Sequence, residues 1–356
     1  MTPEARARLQ RLLEAARRAA DPHAPQAEAW RERIRASSGL SREGVDLALS
    51  RCLETEPSEA ELVALAASVP AAPVSHVLLS ANVFVAAHRA IGLALAASPK
   101  VEVRPSRREP EMARWLAEAA PELFRLVDTI TPASGEQVFA YGRQATLDEL
   151  SRTLPPAVRL LAHGPGFGLV VCDESALSSD ELCQRLATAL ALDVVLFDQR
   201  GCLSPRLILI EASAASALRL ARALAVALSD WQRRVPLGVM SAEEHADKAR
   251  YASTLAYAGE LLTAGQSVIG VGALNSALAL PPVGRNLHLL PVSDARARAS
   301  ALSASLTTYA VAGSATLAAA LARILPRARA STPGRMQCPP FDGAVDRRVH
   351  SALLAP

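Results

Sequence analysis

From Pro73 onward the chain alternates short apolar runs with helix-like stretches, and this alternation limits the fold more than any other feature. Such a rhythm is typical of βαβ units, which build parallel sheets covered by helices. It predicts two series of strands, at 74–79, 101–104, 137–141, 157–162 and 169–172, and then at 206–210, 267–271, 286–290 and 308–311. The sequence therefore predicts an α/β protein with two α/β layers of comparable size.

The first seventy residues differ, because their apolar positions recur every three or four residues, as they do in helices. Within them, Ser58-Glu59-Ala60-Glu61 has the form of a capping box that opens a helix. The predicted organisation is a helical segment over 1–72, a first α/β domain over 73–173, and a second over 174–330. The tail, 331–356, begins with a proline- and glycine-rich stretch at 331–343 and is predicted to return across the first domain and complete it.

The charge balance and the spacing of the cysteines argue against a nucleic-acid-binding, a membrane-bound or a disulfide-stabilised protein. The 38 basic and 35 acidic residues are spread along the chain and leave a formal net charge of +3, so neither nucleic acid nor an anionic membrane is a required partner. Five well-separated cysteines without a C-x-x-C pair predict reduced thiols and a cytoplasmic location. No apolar stretch is long enough to predict a membrane span, and no histidines are spaced to predict a metal site.

Cys202 lies in "FDQRGCLSPRLILIE", between a charged turn and a run that reads as a buried strand. Gly201 allows a tight turn beside it, and Arg200 and Arg206 could increase the thiolate fraction of a thiol whose ordinary pKa is near 8.5. A single cysteine is more often an inert, half-buried thiol than a nucleophile. The polar stretch "DQRG" favours the nucleophile, because it is a poor setting in which to bury a structural cysteine.

Two glycine-containing stretches could hold a ligand. "HGPGFG" includes His163, Gly164 and Gly166, and its alternating glycines allow close backbone approach to a phosphate or a nicotinamide ring. A turn between two strands explains this stretch equally well. "YGRQATLDEL" is a better phosphate candidate, because a strand ends at Gly142 and a helix opens near Thr146, although an ordinary capped helix has the same pattern.

Polar side chains also follow the first two predicted strands. Arg104 and Ser106, in "SPKVEVRPSRREP", stand where open α/β sheets bind ligands and could grip an adenosine ribose or its 2′-phosphate. A solvated basic turn is the alternative for that stretch. Asn82, in "LLSANVFVAAHRA", either caps the next helix or donates a hydrogen bond into a cleft.

The order of these stretches, closed by "GRMQCPPFDG", resembles the aldehyde dehydrogenase superfamily and, more narrowly, the acyl-CoA reductases of the LuxC type. The resemblance covers about 74–346, and "FDQRGCLSP" with "GRMQCPPFDGAVDRR" is its most specific part. It implies two Rossmann-like, three-layer α/β domains, of which the first binds the cofactor and the second carries the nucleophile. It also implies a homodimer or homotetramer.

Site roles follow from the resemblance position by position. Cys202 matches the nucleophile that attacks an acyl thioester and holds the acyl group until a nicotinamide cofactor reduces it to an aldehyde. Asn82 matches the amide that forms the oxyanion hole with the backbone N–H of Cys202. Arg104, with Ser106, favours NADPH over NADH. His163 stands where hydrolytic relatives usually carry a glutamate base, so reduction of a thioester is favoured over oxidation of an aldehyde, although His163 could itself act as a base.

The resulting hypothesis is an NADPH-dependent reductase of acyl-CoA or acyl-carrier-protein thioesters. One alternative is an acyl-phosphate reductase of the glutamyl phosphate reductase type. The other is a relative that binds an acyl carrier and catalyses no redox step.

Overall fold

The computed structural model describes residues 1–348, and it divides into two units. Among these residues, the first unit consists of Met1–Pro165 and residues 340–348, and the second is Gly166–Pro339. Within residues 1–348, no helix combines the length and the apolar character needed to cross a membrane.

Four helices form the predicted N-terminal segment: α1 (Pro3–Ala20), α2 (Ala27–Ser38), α3 (Arg42–Cys52) and α4 (Glu59–Ala67). Their ends follow local sequence signals. Ser58 and Glu61 form the predicted capping box of α4, and α2 ends at Gly39, whose φ of 72° places it in the left-handed region that glycine adopts easily.

The first unit contains a five-stranded parallel sheet in the order β3-β2-β1-β4-β5. Its strands are β1 (Val74–Leu78), β2 (Lys100–Arg104), β3 (Arg125–Leu126), β4 (Gln137–Tyr141) and β5 (Arg159–His163). The helices between them are α5 (Ala86–Ala97), α6 (Glu111–Ala119) and α7 (Gln144–Thr153). Residues such as Val138, Ala140 and Leu160 pack into one apolar cluster with Leu147 of α7.

The pairing register of these strands places their carboxyl ends at one edge of the sheet. Leu78 pairs with Arg104 on one side and with Ala140 on the other, and Tyr141 pairs with His163. The strand order reverses at β1, so the loops that follow β1 and β4 flank a topological switch point. Open α/β sheets bind ligands at such points.

The second unit contains a seven-stranded sheet in the order β12-β11-β6-β7-β10-β9-β8, parallel except for the β8–β9 hairpin. Its strands are β6 (Phe167–Asp173), β7 (Pro205–Glu211), β8 (Gly259–Ala264), β9 (Ser267–Gly272), β10 (Leu287–Pro291), β11 (Leu306–Ala312) and β12 (Arg329–Ser331). Its helices are α8 (Asp180–Val195), α9 (Ala214–Arg234), α10 (Ala242–Ala258), α11 (Ala295–Ala301) and α12 (Ala315–Ile324).

The units divide after Pro165, whereas the sequence places the limit of the first domain at 173. The reason is strand pairing: β6 joins β7 and β11 in the seven-stranded sheet instead of following β5 in the five-stranded one. The tail also divides, because residues 331–339 belong to the second unit and the chain joins the first only from Pro340.

Within the first unit, the tail packs on α5. Arg89 donates hydrogen bonds to the carbonyl oxygens of Pro340 and Gly343, at 2.8 and 2.7 Å. The Phe341 ring is buried so closely against Gly92 that a Cβ there would lie 2.8 Å from it. The part of the tail beyond residue 348, which the sequence also assigns to the first domain, lies outside the described residues.

Candidate active site

Cys202 is half-buried on a tight turn that connects the segment after α8 to strand β7. The backbone N–H of Ser204 donates to the carbonyl of Gly201 at 3.1 Å, which closes the turn around Cys202 and Leu203. Cys52, Cys172 and Cys183 are buried, whereas Cys202 and Cys338 are partly exposed. Burial strongly raises the pKa of the Cys172 thiol, which makes that cysteine a poor nucleophile.

The backbone before this turn is left-handed at three successive residues. Phe197, Asp198 and Gln199 have φ angles of 56°, 50° and 65°, and none of them is glycine. A left-handed conformation costs an ordinary residue roughly 1–2 kcal/mol, so the three together cost roughly 3–6 kcal/mol. Surrounding contacts must supply that energy for the turn to persist.

Asp198 supplies one set of those contacts. Its carboxylate is buried and accepts from Arg285 Nε at 2.9 Å and from the Gly238 N–H at 2.9 Å. Arg285 is also buried and donates to the carbonyl of Val235 at 2.7 Å. A buried ion pair whose remaining donors are satisfied holds a backbone in one conformation, because loss of either partner would leave the other charge buried without a counter-ion.

Gln199 supplies a second set. Its amide Nε2 donates to the carbonyls of Pro205 and Asn286 at 2.7 and 2.6 Å, and its Oε1 accepts from the Asn286 N–H at 2.8 Å. Asn286 Oδ1 accepts in turn from the Val268 N–H at 2.9 Å. The amide of Gln199 thus ties the start of β7 to the segment that enters β10.

The polar stretch "DQRG" therefore does not expose the cysteine in the way that the sequence predicts. Asp198 and Gln199 are themselves buried, and only the turn beyond them leaves Cys202 half-exposed. The two proposed cations have other partners: Arg200 binds the Glu244 carboxylate at 3.2 Å, and Arg206 donates to the Pro281 carbonyl at 2.8 Å. Burial lowers the pKa of Arg206 to about 10.

Strand β6 lies directly against the Cys202 turn. The Gly168 N–H donates to the Ser204 carbonyl at 2.8 Å, and a Cβ at Gly168 would lie 2.5 Å from the Leu203 carbonyl oxygen. The register also shifts here, so that Gly168 pairs with Pro205 but Leu169 pairs with Leu207. Thus Gly168 is the glycine of "HGPGFG" that a close backbone approach requires, and Gly166, which the sequence selects, lies before the strand.

Asn82 lies in the loop after β1, at the carboxyl edge of the first unit's sheet. It does not cap the next helix, because α5 begins at Ala86 with Val85 at the cap position. Instead its Oδ1 accepts a hydrogen bond from Arg108 at 3.2 Å. This contact uses the amide oxygen, so it does not occupy the N–H donors of Nδ2.

Arg104 ends β2 at the same edge, and Ser106 follows it, accepting from the Arg108 N–H at 3.2 Å. Among residues 1–348, no carboxylate forms an ion pair with Arg104, Arg107 or Arg108. The neighbouring acid, Glu109, is buried and accepts from the backbone N–H groups of α6. This loop therefore concentrates positive charge that no carboxylate in the described part of the chain offsets through an ion pair.

Gly142 and Thr146 lie where β4 passes into α7. The helix begins at Gln144 after Arg143, and within the described chain no side chain caps it. Its first N–H groups and its dipole are therefore suited to an anion. A Cβ at Gly142 would meet Thr146 at 3.8 Å, an ordinary contact, so steric crowding does not require glycine there.

His163 ends β5, and its ring stacks on Tyr141 with centroids 4.6 Å apart. The carbonyl of Gly164 accepts from Arg348 of the tail at 3.4 Å. In the part of the chain that the structure describes, no group of three His, Cys, Asp or Glu side chains is arranged to hold a metal ion.

The five-stranded sheet thus gathers most of the predicted site residues at its carboxyl edge: Asn82, Arg104, Ser106, Gly142, Thr146, His163 and Gly164. Cys202 and Gly166 belong to the second unit. Sequence reasoning missed Asp198, Gln199, Arg285 and Asn286, which hold the cysteine turn. Their partners lie up to 87 residues away, and no local pattern signals such contacts.

The two mostly parallel sheets and the helical N-terminal segment together form the fold that is seen in solved aldehyde dehydrogenases. Solved structures with this fold include an NAD-dependent benzaldehyde dehydrogenase from Corynebacterium glutamicum, with a TM-score of 0.65 and 15% identity over 93% of this chain and 81% of that one. They also include an NAD-dependent aldehyde dehydrogenase from Sinorhizobium meliloti, with a TM-score of 0.67 and 16% identity over 92% and 74%. These likenesses concern the fold.

The comparison with protein families gives a narrower assignment than the fold does. The model of the acyl-CoA reductase (LuxC) family matches residues 125–325, which is more than half of the chain. The chain belongs to this family, and the resemblance seen in its motifs is confirmed. The family and the fold together define an oxidoreductase of acyl or aldehyde substrates. No protein of curated function matches the sequence.

Proposed function

We propose that the protein is an NADPH-dependent acyl-CoA or acyl-carrier-protein reductase that releases an aldehyde after forming a thioester on Cys202. The observation that carries this proposal is the Cys202 turn. Two buried side-chain networks maintain three strained residues beside one half-exposed thiol. Such an arrangement is costly for an inert cysteine and suits a nucleophile, whose sulfur must be held in one place.

In the first step, the Cys202 thiolate attacks the carbonyl carbon of the substrate thioester. A new carbon–sulfur bond forms to Cys202, the bond to the carrier sulfur breaks, and the carrier leaves as a thiol after taking up a proton. Negative charge develops on the carbonyl oxygen. The backbone N–H of Cys202 and the amide of Asn82 are the proposed donors to that oxygen.

The residues at the carboxyl edge of the five-stranded sheet fit a dinucleotide phosphate. Arg104, Arg107 and Arg108 have no described acidic partner, and the start of α7 offers uncapped N–H groups. Arg104 and Ser106 would hold the ribose 2′-phosphate, and Gly142 and Thr146 would border the pyrophosphate, with Gly164 and Gly166 as further proposed contacts. A bound nicotinamide would supply hydride for the reduction.

The absence of a carboxylate at position 163 supports release as an aldehyde, because a base that activates water to hydrolyse the acyl-enzyme is missing there. His163 is stacked on Tyr141 and is a weaker candidate for activating water. We therefore expect reduction of thioesters to exceed oxidation of the corresponding aldehydes to acids.

The test is a nicotinamide absorbance assay with acyl-CoA, acyl-carrier-protein and acyl-phosphate substrates, using NADPH and NADH. The proposal predicts oxidation of NADPH with a thioester, production of an aldehyde, and no activity in Cys202→Ala. Turnover of acyl phosphates alone would favour the acyl-phosphate reductase. Full activity in Cys202→Ala would refute the mechanism.

A further inference from the structure

The segment Gly334–Gln337, called the strap here, is bound to a buried carboxylate at the end of helix α8. Asp193 Oδ2 accepts from the Gly334 N–H at 2.6 Å, and Oδ1 accepts from the Met336 N–H at 2.9 Å. Gly334 has a φ of +85°, and a Cβ there would lie 3.3 Å from Ala189 on α8. The strap therefore lies closely against that helix.

Asp193 is an unusual anchor because its side chain is 0% exposed. No arginine, lysine or histidine among residues 1–348 forms an ion pair with it. Burial raises the pKa of Asp193 to about 7, although the strap's donors act in the opposite direction. A buried carboxylate needs hydrogen bonds to be tolerated, so the position of the strap is coupled to this side chain.

The strap extends from Asp193 to the cysteine turn. Gln337 Nε2 donates to the backbone carbonyl of Asp193 at 3.2 Å and to Ser204 Oγ at 2.5 Å. Ser204 is the last residue of the turn that contains Cys202. The Met336 methyl group also lies 2.8 Å from the position that a Gly168 Cβ would take, on the strand that borders the same turn.

We propose that Gln337 is a positioning residue for Cys202. Its amide holds Ser204 and thereby one end of the nucleophile turn, while Asp193 holds the strap that carries Gln337. The buried amide has two acceptors 11 residues apart, one on the helix and one on the turn. Gln337 would not touch the substrate, so its loss should slow the chemical step without weakening substrate binding.

The first test is hydrogen exchange at the turn, which requires no substrate. Gln337→Met keeps the volume of the side chain but removes the donor, and Ser204→Ala removes the acceptor. Each variant should accelerate exchange of the Ser204 amide about fivefold, the factor that one typical hydrogen bond corresponds to. The double variant should exchange no faster than Ser204→Ala alone, because both substitutions remove the same contact. Ser204→Ala keeps the test decisive if Gln337→Met does not fold.

Arg335→Ala is the matched control, since it alters an exposed side chain on the same strap. Its exchange rates and activity should equal those of the unchanged protein. Unchanged exchange at Ser204 in Gln337→Met, or effects of the two substitutions that simply add, would overturn the proposal.

A kinetic test rests on the proposed reductase function. In Gln337→Met, kcat for acyl-thioester reduction should fall about fivefold while KM stays constant, as expected for a group that acts through Cys202. An increase in KM at constant kcat would assign Gln337 to substrate binding instead and overturn the proposal. If no thioester is reduced at all, the proposed function fails, and the exchange measurement alone decides the role of Gln337.

Discussion

A side chain at Gly168 would collide with the turn that carries Cys202. The added Cβ would approach the Leu203 carbonyl oxygen to 2.5 Å and the Ser204 carbonyl carbon to 2.9 Å, and both belong to the backbone. We predict that Gly168→Ala lowers the free energy of unfolding by about 2 kcal/mol or more, as overpacking does in other interiors. Chemical denaturation measures this change.

Gly142→Ala is the control for that stability measurement. Its Cβ would meet Thr146 at 3.8 Å, so the unfolding free energy should remain within about 0.5 kcal/mol. Equal stability of both variants would mean that β6 does not press on the cysteine turn.

The Asp198–Arg285 pair allows a second test at the level of single residues. Asp198→Asn removes the negative charge and leaves the Arg285 guanidinium buried, which should cost about 3–5 kcal/mol of stability. Asp230→Asn breaks an exposed pair with Arg233 and should cost less than about 1 kcal/mol. Thermal and denaturant unfolding compare the two variants, and similar losses would contradict a structural role for the buried pair.

Residue-level prediction from the sequence succeeded where the signal is local. The predicted Ser58–Glu61 capping box is present, because it requires only four consecutive residues. The partners of Asp198 and Gln199 could not be predicted, because both side chains contact residues far along the chain. The polar stretch was therefore interpreted as exposed when it is buried.

At the level of elements, the loop after β2 determines the proposed cofactor preference. Arg104→Ala should raise KM for NADPH about 10–100-fold and leave KM for NADH nearly unchanged, because a charged hydrogen bond to the 2′-phosphate would be lost. Steady-state kinetics with each cofactor measures this difference. Arg152→Ala, on the exposed side of α7, serves as the control. Equal effects on both cofactors would remove Arg104 from 2′-phosphate recognition.

The junction of α8 with the strap should make stability depend on pH. The pKa of Asp193 is raised from 3.8 to about 7 by burial, so the folded protein holds its proton more tightly than the unfolded chain does. This contribution to stability is fully present below about pH 4 and is lost as the pH rises through 7.

Asp193→Asn removes that titration. The unfolding free energy of the unchanged protein minus that of the variant should therefore fall between pH 4 and pH 7.5, by on the order of 4 kcal/mol. Denaturant unfolding across this range measures the difference. A difference that stays constant with pH would show that Asp193 does not titrate there.

Nine of the twelve strands within residues 1–348 were predicted from the sequence to within two residues at either end. Those nine are apolar runs bounded by turn signals, which a buried strand requires. The strands that escaped prediction are β3 and β12, which have two and three residues, and β8, whose residues are mostly exposed. Without a buried face, a strand produces no periodic apolar signal.

On the scale of the whole molecule, local patterns predicted two α/β layers but not which strand joins which sheet. "HGPGFG" has the composition of a turn between neighbouring strands, yet β5 and β6 belong to different units. Strand pairing depends on contacts distant in sequence, so the domain limit was placed eight residues too late, at 173 rather than 165. The resemblance to a family supplied the architecture that periodicity alone did not.

The proposed reaction requires that a thioester substrate acylate Cys202. Mass spectrometry of the protein after brief exposure to an acyl-CoA, without a nicotinamide cofactor, detects this acylation. We predict one acyl mass on the peptide that contains Cys202, and none on that peptide in Cys202→Ala. An acyl group found only on another residue, or no acylation of the intact protein by any acyl-CoA or acyl-carrier-protein thioester, would show that Cys202 is not the nucleophile.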